Sequence, residues 1–176
     1  LPYSREHYLT VLEEARETLG GMDVKERARV CGLGYEETEG GPRIGFESLG
    51  VNYTIHVNNW DIRAENGRVM PLQMRIIVLH HLASAGDAPL SGELMPLTKF
   101  PELMNYAPVI RRRTSEILER RFGDSSHLLP PAVERLGGEA LDMADAAGRL
   151  APLPRLPVTF SVYEEEPGIP AEAAVY

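Results

Sequence analysis

The stretch from Val51 to Ala64 constrains the fold of this chain more than any other. Val51, Tyr53, Ile55 and Val57 alternate with Asn52, Thr54, His56 and Asn58. A strand sends successive side chains to opposite faces, so this is the pattern of a half-buried strand. Trp60, Ile62 and Ala64 continue the alternation, Ile44 and Phe46 precede it, and Asn66-Gly67 follows it. That dipeptide favours a tight turn, and the whole predicts a small antiparallel sheet.

Helical spacing frames these strands. Ser4 is placed to cap a first helix bearing Tyr8, Val11, Leu12, Ala15 and Leu19, which Gly20-Gly21 ends. Asp23 and Glu26 form a capping-box-like pair for a second helix that puts Val24, Ala28 and Cys31 on one face and stops at Gly32. Pro71 takes the favoured first position of a third helix. From Leu72 to Ala83 that helix is apolar nearly all round, which predicts a central, buried element. Further on, a helix is expected from Val109 to Phe122, with Ile110, Thr114, Ile117 and Leu118 inward. A short helix near Leu129, Val133 and Leu136 should end at Gly137-Gly138. Strands are expected at Leu150–Leu153, around Val158, Phe160 and Val162, and at Ala173–Tyr176. The fold class is therefore α+β: a small antiparallel sheet packed against a central buried helix and several short helices. At 176 residues the chain is expected to form a single globular domain over 1–176.

Charge and cysteine usage narrow the function classes. The net charge of −8 opposes general binding to phosphate backbones and to anionic membranes, so neither nucleic acid nor membrane is an expected partner. With Cys31 as the one cysteine, an internal disulfide and an all-cysteine metal or iron–sulfur site are excluded. No apolar run reaches the ~18 residues of a membrane span. The opening Leu1-Pro2-Tyr3-Ser4 lacks a signal-peptide pattern. The expected location is cytoplasmic, in keeping with the cysteine count.

His80-His81 is the most chemically loaded feature. Neighbouring helical residues diverge by ~100°, so the two cannot readily share one metal. Gln73, His80 and Ser84 form a polar stripe on the apolar helix, while His81 points elsewhere. A single histidine can serve as an axial ligand to a tetrapyrrole metal or as a general base. A long Gly/Pro loop, Gly86 to Pro101, follows the helix and carries Ser91 and Glu93. Loops of this length are uncommon and often functional. Candidate ligand-binding residues are thus His80, His81, Gln73, Ser84, Ser91 and Glu93.

Other clusters have plainer readings. Arg111-Arg112-Arg113 and Arg120-Arg121 fan around a helix where Glu116 is spaced to pair with Arg112 and Arg120. Asp142 and Asp145, with Glu139 nearby, fit capping or a turn better than a cation loop. Glu164-Glu165-Glu166 reads as a solvated tip. Gly32-x-Gly34 lacks the rest of a dinucleotide fingerprint, and there is no P-loop.

The run V-L-H-H-L-A-S-A-G-D-A-P-L-S-G-E-L from Val78, with K-F-P-E-L, R-R-F-G, L-G-G-E-A-L-D-M-A-D-A-A and L-P-R-L-P-V after it, resembles the prokaryotic domain-of-unknown-function family 3786. The similarity is strongest from about Pro71 to Glu166. The resemblance implies a stand-alone domain from anaerobic bacteria or archaea. Some relatives carry an added four-cysteine iron–sulfur segment, which this chain lacks. That setting raises the expectation of corrinoid, haem or other metallocofactor handling.

The leading expectation is a non-catalytic accessory protein that binds a small ligand or a tetrapyrrole-type cofactor. Two alternatives stand beside it. One is a small hydrolase or transferase using a His/Ser/Glu site. The other is an interaction module that docks a partner protein through the arginine helix or the acidic tip.

Overall fold

The computed structural model describes residues 4–176, without the side chain of Thr98. The opening Leu1-Pro2-Tyr3 lies outside them. The described residues divide into two compact units. One reaches to Pro89 and includes Leu153–Arg155; the other comprises Leu90–Pro152 and Leu156–Tyr176.

In the first unit, α1 (Arg5–Gly20) starts where Ser4 Oγ accepts the His7 N–H at 3.2 Å. It buries Leu12, Ala15 and Leu19 and ends at Gly21. Helix α2 (Val24–Cys31) starts where Asp23 Oδ1 accepts the Glu26 N–H at 3.0 Å. It stops at Gly32, whose φ of 71° suits glycine. Strands β1 (Gly34–Thr38), β2 (Gly41–Ser48), β3 (Val51–His56) and β4 (Asp61–Ala64) follow and pair antiparallel in chain order. The register sets Ile44 opposite Ile55 and Ile55 opposite Ile62. These three isoleucines form one cross-strand row with no exposed surface. Helix α3 (Leu72–Ser84) adds Val78, Leu79 and Leu82 to the same core.

Three details differ from the sequence reading. Strand β1 was not anticipated, because Gly34-Tyr35-Glu36-Glu37-Thr38 lacks an apolar alternation; it is an edge strand held by its ladder to β2. Strand β3 ends at His56, and Trp60 turns back with φ 56° while remaining buried. Helix α3 begins after Pro71 and is not buried all round. Gln73, Ile77, His80 and Ser84 share an exposed face.

The second unit holds α4 (Ala107–Arg113), α5 (Ser115–Phe122), α6 (Leu129–Glu134), β5 (Glu139–Leu141), β6 (Ala146–Leu153, all but its last residue), β7 (Leu156–Tyr163) and β8 (Glu172–Val175). The sheet order is β5-β6-β7-β8, so β8 lies at an edge. The helix expected from Val109 to Phe122 breaks at Thr114, whose φ of −127° and ψ of −82° leave the helical region. The Thr114 hydroxyl donates to the Ile110 carbonyl at 2.8 Å, a back-bond that competes with regular helix. The break changes the ion pairs. Arg111 reaches Glu119 at 3.2 Å and Glu116 at 4.0 Å, in place of the anticipated Glu116 pairs with Arg112 and Arg120. It also leaves Ile117 48% exposed where it was expected to face inward.

Strand β7 corrects a second expectation. Val158 and Phe160 are only half-buried, whereas Thr159 and Ser161 are buried together with Val162. Nor is Glu164 a purely solvated tip, since its carboxylate accepts the Ser126 N–H at 2.8 Å. Asp145 Oδ2 accepts the Glu164 N–H at 2.8 Å, and Glu139 pairs with Arg149 at 2.6 Å, so both acids serve local structure. Among the described residues, no helix is long and apolar enough to cross a membrane.

Candidate functional site

Around the end of α3 the polar groups are arranged to close the helix. The last carbonyls of a helix lack partners within it and carry its partial negative charge. Arg27 supplies both needs, donating from Nε to the Leu82 carbonyl and from Nη2 to the Ala85 carbonyl, each at 2.7 Å. Arg155, at φ 62°, donates to the Val30 carbonyl at 2.5 Å, to Asp87 Oδ1 at 3.4 Å and to the Ala88 carbonyl. Asp87 also pairs with Arg29 at 3.1 Å. Arg29, and behind it Arg155, hold the Asp87 carboxyl below the usual carboxylate range. Cys31 is fully buried, with Sγ 3.6 Å from the His81 carbonyl, and burial pushes its thiol pKa up. This is a packed thiol rather than a nucleophile.

His81 belongs to the same cluster. Burial pushes its pKa below the ordinary 6.5, a hydrogen bond with the Pro154 backbone opposes the shift, and the charges of Arg27 and Arg155 add to it. Its Nε2 is buried without a hydrogen-bond partner. A base whose folded pKa is depressed gives stability that is present above its unfolded pKa and is lost as pH falls through the folded value. The urea midpoint should therefore drop as the pH falls below the ordinary histidine value of 6.5, and His81→Gln should flatten that drop. An unchanged slope in the variant would assign the drop to other groups.

The remaining sequence candidates separate. Gln73, His80 and Ser84 sit on the exposed face of α3, where the Ser84 hydroxyl donates to the His80 carbonyl at 2.6 Å. Ser91 and Glu93 belong to the second unit, where Ser91 Oγ accepts the Glu93 N–H at 3.2 Å.

Those two residues line a cavity of about 170 Å³ with Arg149, Pro157, Thr159 and Tyr176. A second cavity, about 340 Å³, is lined by Pro96, Leu97, Ile110, Arg111, Val175 and again Tyr176, among others. Tyr176 lines both, so the two cavities neighbour each other along a groove beside β8. One bank is the segment Leu90–Leu97; Leu90, Leu94 and Met95 are 59%, 49% and 47% exposed. Such a run of exposed apolar side chains is a recognised mark of a binding surface.

The ladder fixes what β8 offers this groove. Thr159 and Tyr176 exchange N–H···O bonds of 2.9 and 3.1 Å, and Ser161 and Tyr163 stand opposite Ala174 and Glu172. In an antiparallel pair the hydrogen-bonded positions alternate, so the main-chain groups of Ala173 and Val175 point away from β7. The Ala173 N–H is taken by Glu119 Oε1 at 3.2 Å, and Glu119 is held in turn by Arg111. The N–H and C=O of Val175 face outward on the strand edge that lines the larger cavity.

Sequence reasoning found Ser91, Glu93 and the arginine cluster but not the groove. It is assembled from segments far apart in the chain. The available signal was the sequence Leu90 to Met95, apolar side chains set in a Gly/Pro-rich loop.

A family model, Domain of unknown function (DUF3786), matches residues 23–176 of the chain. The chain belongs to this family. The DUF3786 match begins at the capping Asp23 of α2 and takes in both sheets, both cavities and the polar cluster at the end of α3. No curated protein and no solved structure matches the chain significantly.

Proposed function

We propose that this DUF3786 chain is a non-catalytic binding protein whose second unit takes up an extended, carboxylate-bearing ligand. The observation that carries the reading is the larger cavity itself, which sets the outward main-chain groups of Val175 beside the apolar Pro96, Leu97 and Ile110 and the polar Arg111, Thr114, Ser115 and Glu172. Ligand sites are concave, mostly apolar and furnished with a few placed polar groups. Arginine is the side chain best shaped to meet a carboxylate, and Arg111 would exchange its pairs with Glu119 and Glu116 for the ligand's.

A binding role fits the local chemistry better than a hydrolytic one. A serine nucleophile needs a base oriented on its hydroxyl. Ser91 Oγ instead accepts the Glu93 backbone N–H. The second reading, a tetrapyrrole-type cofactor held through His80, is favoured by the exposure of His80 beside Gln73 and Ser84. His81 is poorly suited to that role because its Nε2 is buried.

Calorimetric titration with hexanoate, a carboxylate on an apolar tail, tests the proposal. Binding in the millimolar range is expected for so small a ligand. Absence of heat with hexanoate, together with a Soret band on adding haemin that His80→Ala abolishes, would replace the proposal with the second reading.

A further inference from the structure

We infer that the second unit holds a separate site for a small phosphomonoester with an apolar body, framed by the end of α5 and by α6. A third cavity, about 220 Å³, is lined there by Arg121, Phe122, Leu128, Pro131, Ala132 and Arg135. It shares no lining residue with the larger cavity, so the inference goes beyond the carboxylate-binding reading.

Three observations support it. First, the charge of the lining is not cancelled from within. The lining holds two arginines and no acid. Arg111 in the larger cavity is paired with Glu119 and Glu116, and Arg149 in the smaller one with Glu139. Among the described residues, neither the Arg121 nor the Arg135 guanidinium has an ion pair or a hydrogen bond. Of the acids nearest in the chain, Glu119 is held by Arg111 and the Ala173 N–H, while Asp124 and Glu134 are exposed and line no part of the cavity. Second, the other four lining residues are apolar. Phe122 and Ala132 are half-buried and Leu128 is 46% exposed, so hydrocarbon surface lies open beside the two cations. Sites for small molecules combine such walls with a few placed polar groups. Third, the frame is fixed before any ligand arrives. Gly123, which ends α5, packs so close to Ala171 that an added Cβ would come within 2.5 Å of that side chain. The Ser125 N–H donates to the Phe122 carbonyl and the Leu128 N–H to the Ser125 carbonyl, each at 3.0 Å. The Glu164 carboxylate pins the same turn through the Ser126 N–H. A preformed site loses less freedom on binding.

The charge selects the ligand. A single carboxylate satisfies one guanidinium fork. Two unpaired forks suit a group with more charge and more acceptors. A phosphomonoester carries about −1.5 to −2 at neutral pH and has three acceptor oxygens. The apolar walls then take the organic part of the ester.

The test is calorimetric titration with phenyl phosphate, with inorganic phosphate, benzoate and benzyl alcohol as comparisons. Phenyl phosphate should bind at least about tenfold more tightly than each of the three, and its affinity should fall as salt rises. Arg121→Gln and Arg135→Gln alter exposed side chains and should melt as the parent does, yet each should weaken phenyl phosphate by about tenfold. On the unmodified ¹⁵N-labelled protein, phenyl phosphate should move the amide signals of Phe122, Leu128, Ala132 and Arg135 and leave Ala173 to Tyr176 still.

Inorganic phosphate binding as well as phenyl phosphate would mean an adventitious ion only, and would overturn the inference. Benzoate binding equally well would overturn the choice of phosphate, and benzyl alcohol binding equally well would remove any role for the arginines. Unchanged affinity in both variants, absence of binding, or shifts centred on Ala173 to Tyr176 would each overturn it too. The hexanoate result at the larger cavity stands or falls separately, since the two sites have no residue in common.

Discussion

Replacing Leu79 by alanine is expected to lower unfolding stability by about 3 kcal/mol. Leu79 has no exposed surface and belongs to the buried cluster that also holds Ile44, Ile55, Ile62 and Leu82. Leu→Ala changes at such sites cost about 2–5 kcal/mol, the lost transfer energy plus the cavity left behind. The upper part of that range requires surroundings that cannot collapse. Here the cluster includes β-branched residues fixed by the ladder register, Ile44 opposite Ile55 and Ile55 opposite Ile62. Ile77→Ala on the same helix is the control. Ile77 is 49% exposed, so its truncation should cost well under about 1 kcal/mol. Urea denaturation of both variants checks the pair. Equal losses would mean that α3 does not pack by the face described.

Gly138→Ala is expected to cost about 2 kcal/mol in the second unit. A Cβ at this position would overlap the carbonyl oxygen of Arg149 and lie 2.6 Å from both Leu150 Cδ2 and Val133 Cγ1. The backbone cannot step aside easily. The Gly138 N–H is bonded to the Val133 carbonyl at 3.0 Å where α6 ends, and the next residue, Glu139, is already paired with Arg149 in the ladder. Overpacking of this kind costs about 1–3 kcal/mol. Gly45→Ala provides the contrast, because a Cβ there meets nothing within 4 Å. It should be neutral or slightly stabilising by thermal melting. A Gly138→Ala protein that melts with the Gly45→Ala control would contradict the close approach of α6 to β6.

How much of this was legible in the sequence depended on how locally each feature is specified. The caps of α1 and α2 were readable because a helix start needs only one side chain three residues away, as Ser4 with His7 and Asp23 with Glu26 show. The β2–β4 row was readable because Ile44, Ile55 and Ile62 each stand in an alternating run. The α+β class followed from these; the later runs gave strands but not their assembly into a second sheet, which also takes in the unanticipated β5. Strand β1 was not legible, since its pairing is supplied by β2 rather than by its own side chains. The break at Thr114 was hidden because threonine fits a helix by pattern and leaves it only through its hydroxyl bond to Ile110. In β7 the apolar residues Val158 and Phe160 drew the period-two reading to one face, while the fold buries Thr159 and Ser161 on the other.

The site was the least legible part. The histidine pair attracted attention because of its chemistry. In the fold, His81 is absorbed into the closure of α3, and His80 stays on an exposed face. Arg27 and Arg155 could not be singled out, because their carbonyl acceptors lie 55 and 125 residues away. The groove unites Leu97, Arg111 and Val175, which no spacing rule connects.

The most direct test of where this protein binds is a map of backbone amide shifts on the ¹⁵N-labelled chain titrated with hexanoate. The account predicts that movement concentrates at Leu97, Ile110, Arg111 and Ala173 to Tyr176 and leaves the α3 face unchanged. Movement centred on Gln73, His80 and Ser84, with the β8 edge silent, would contradict it.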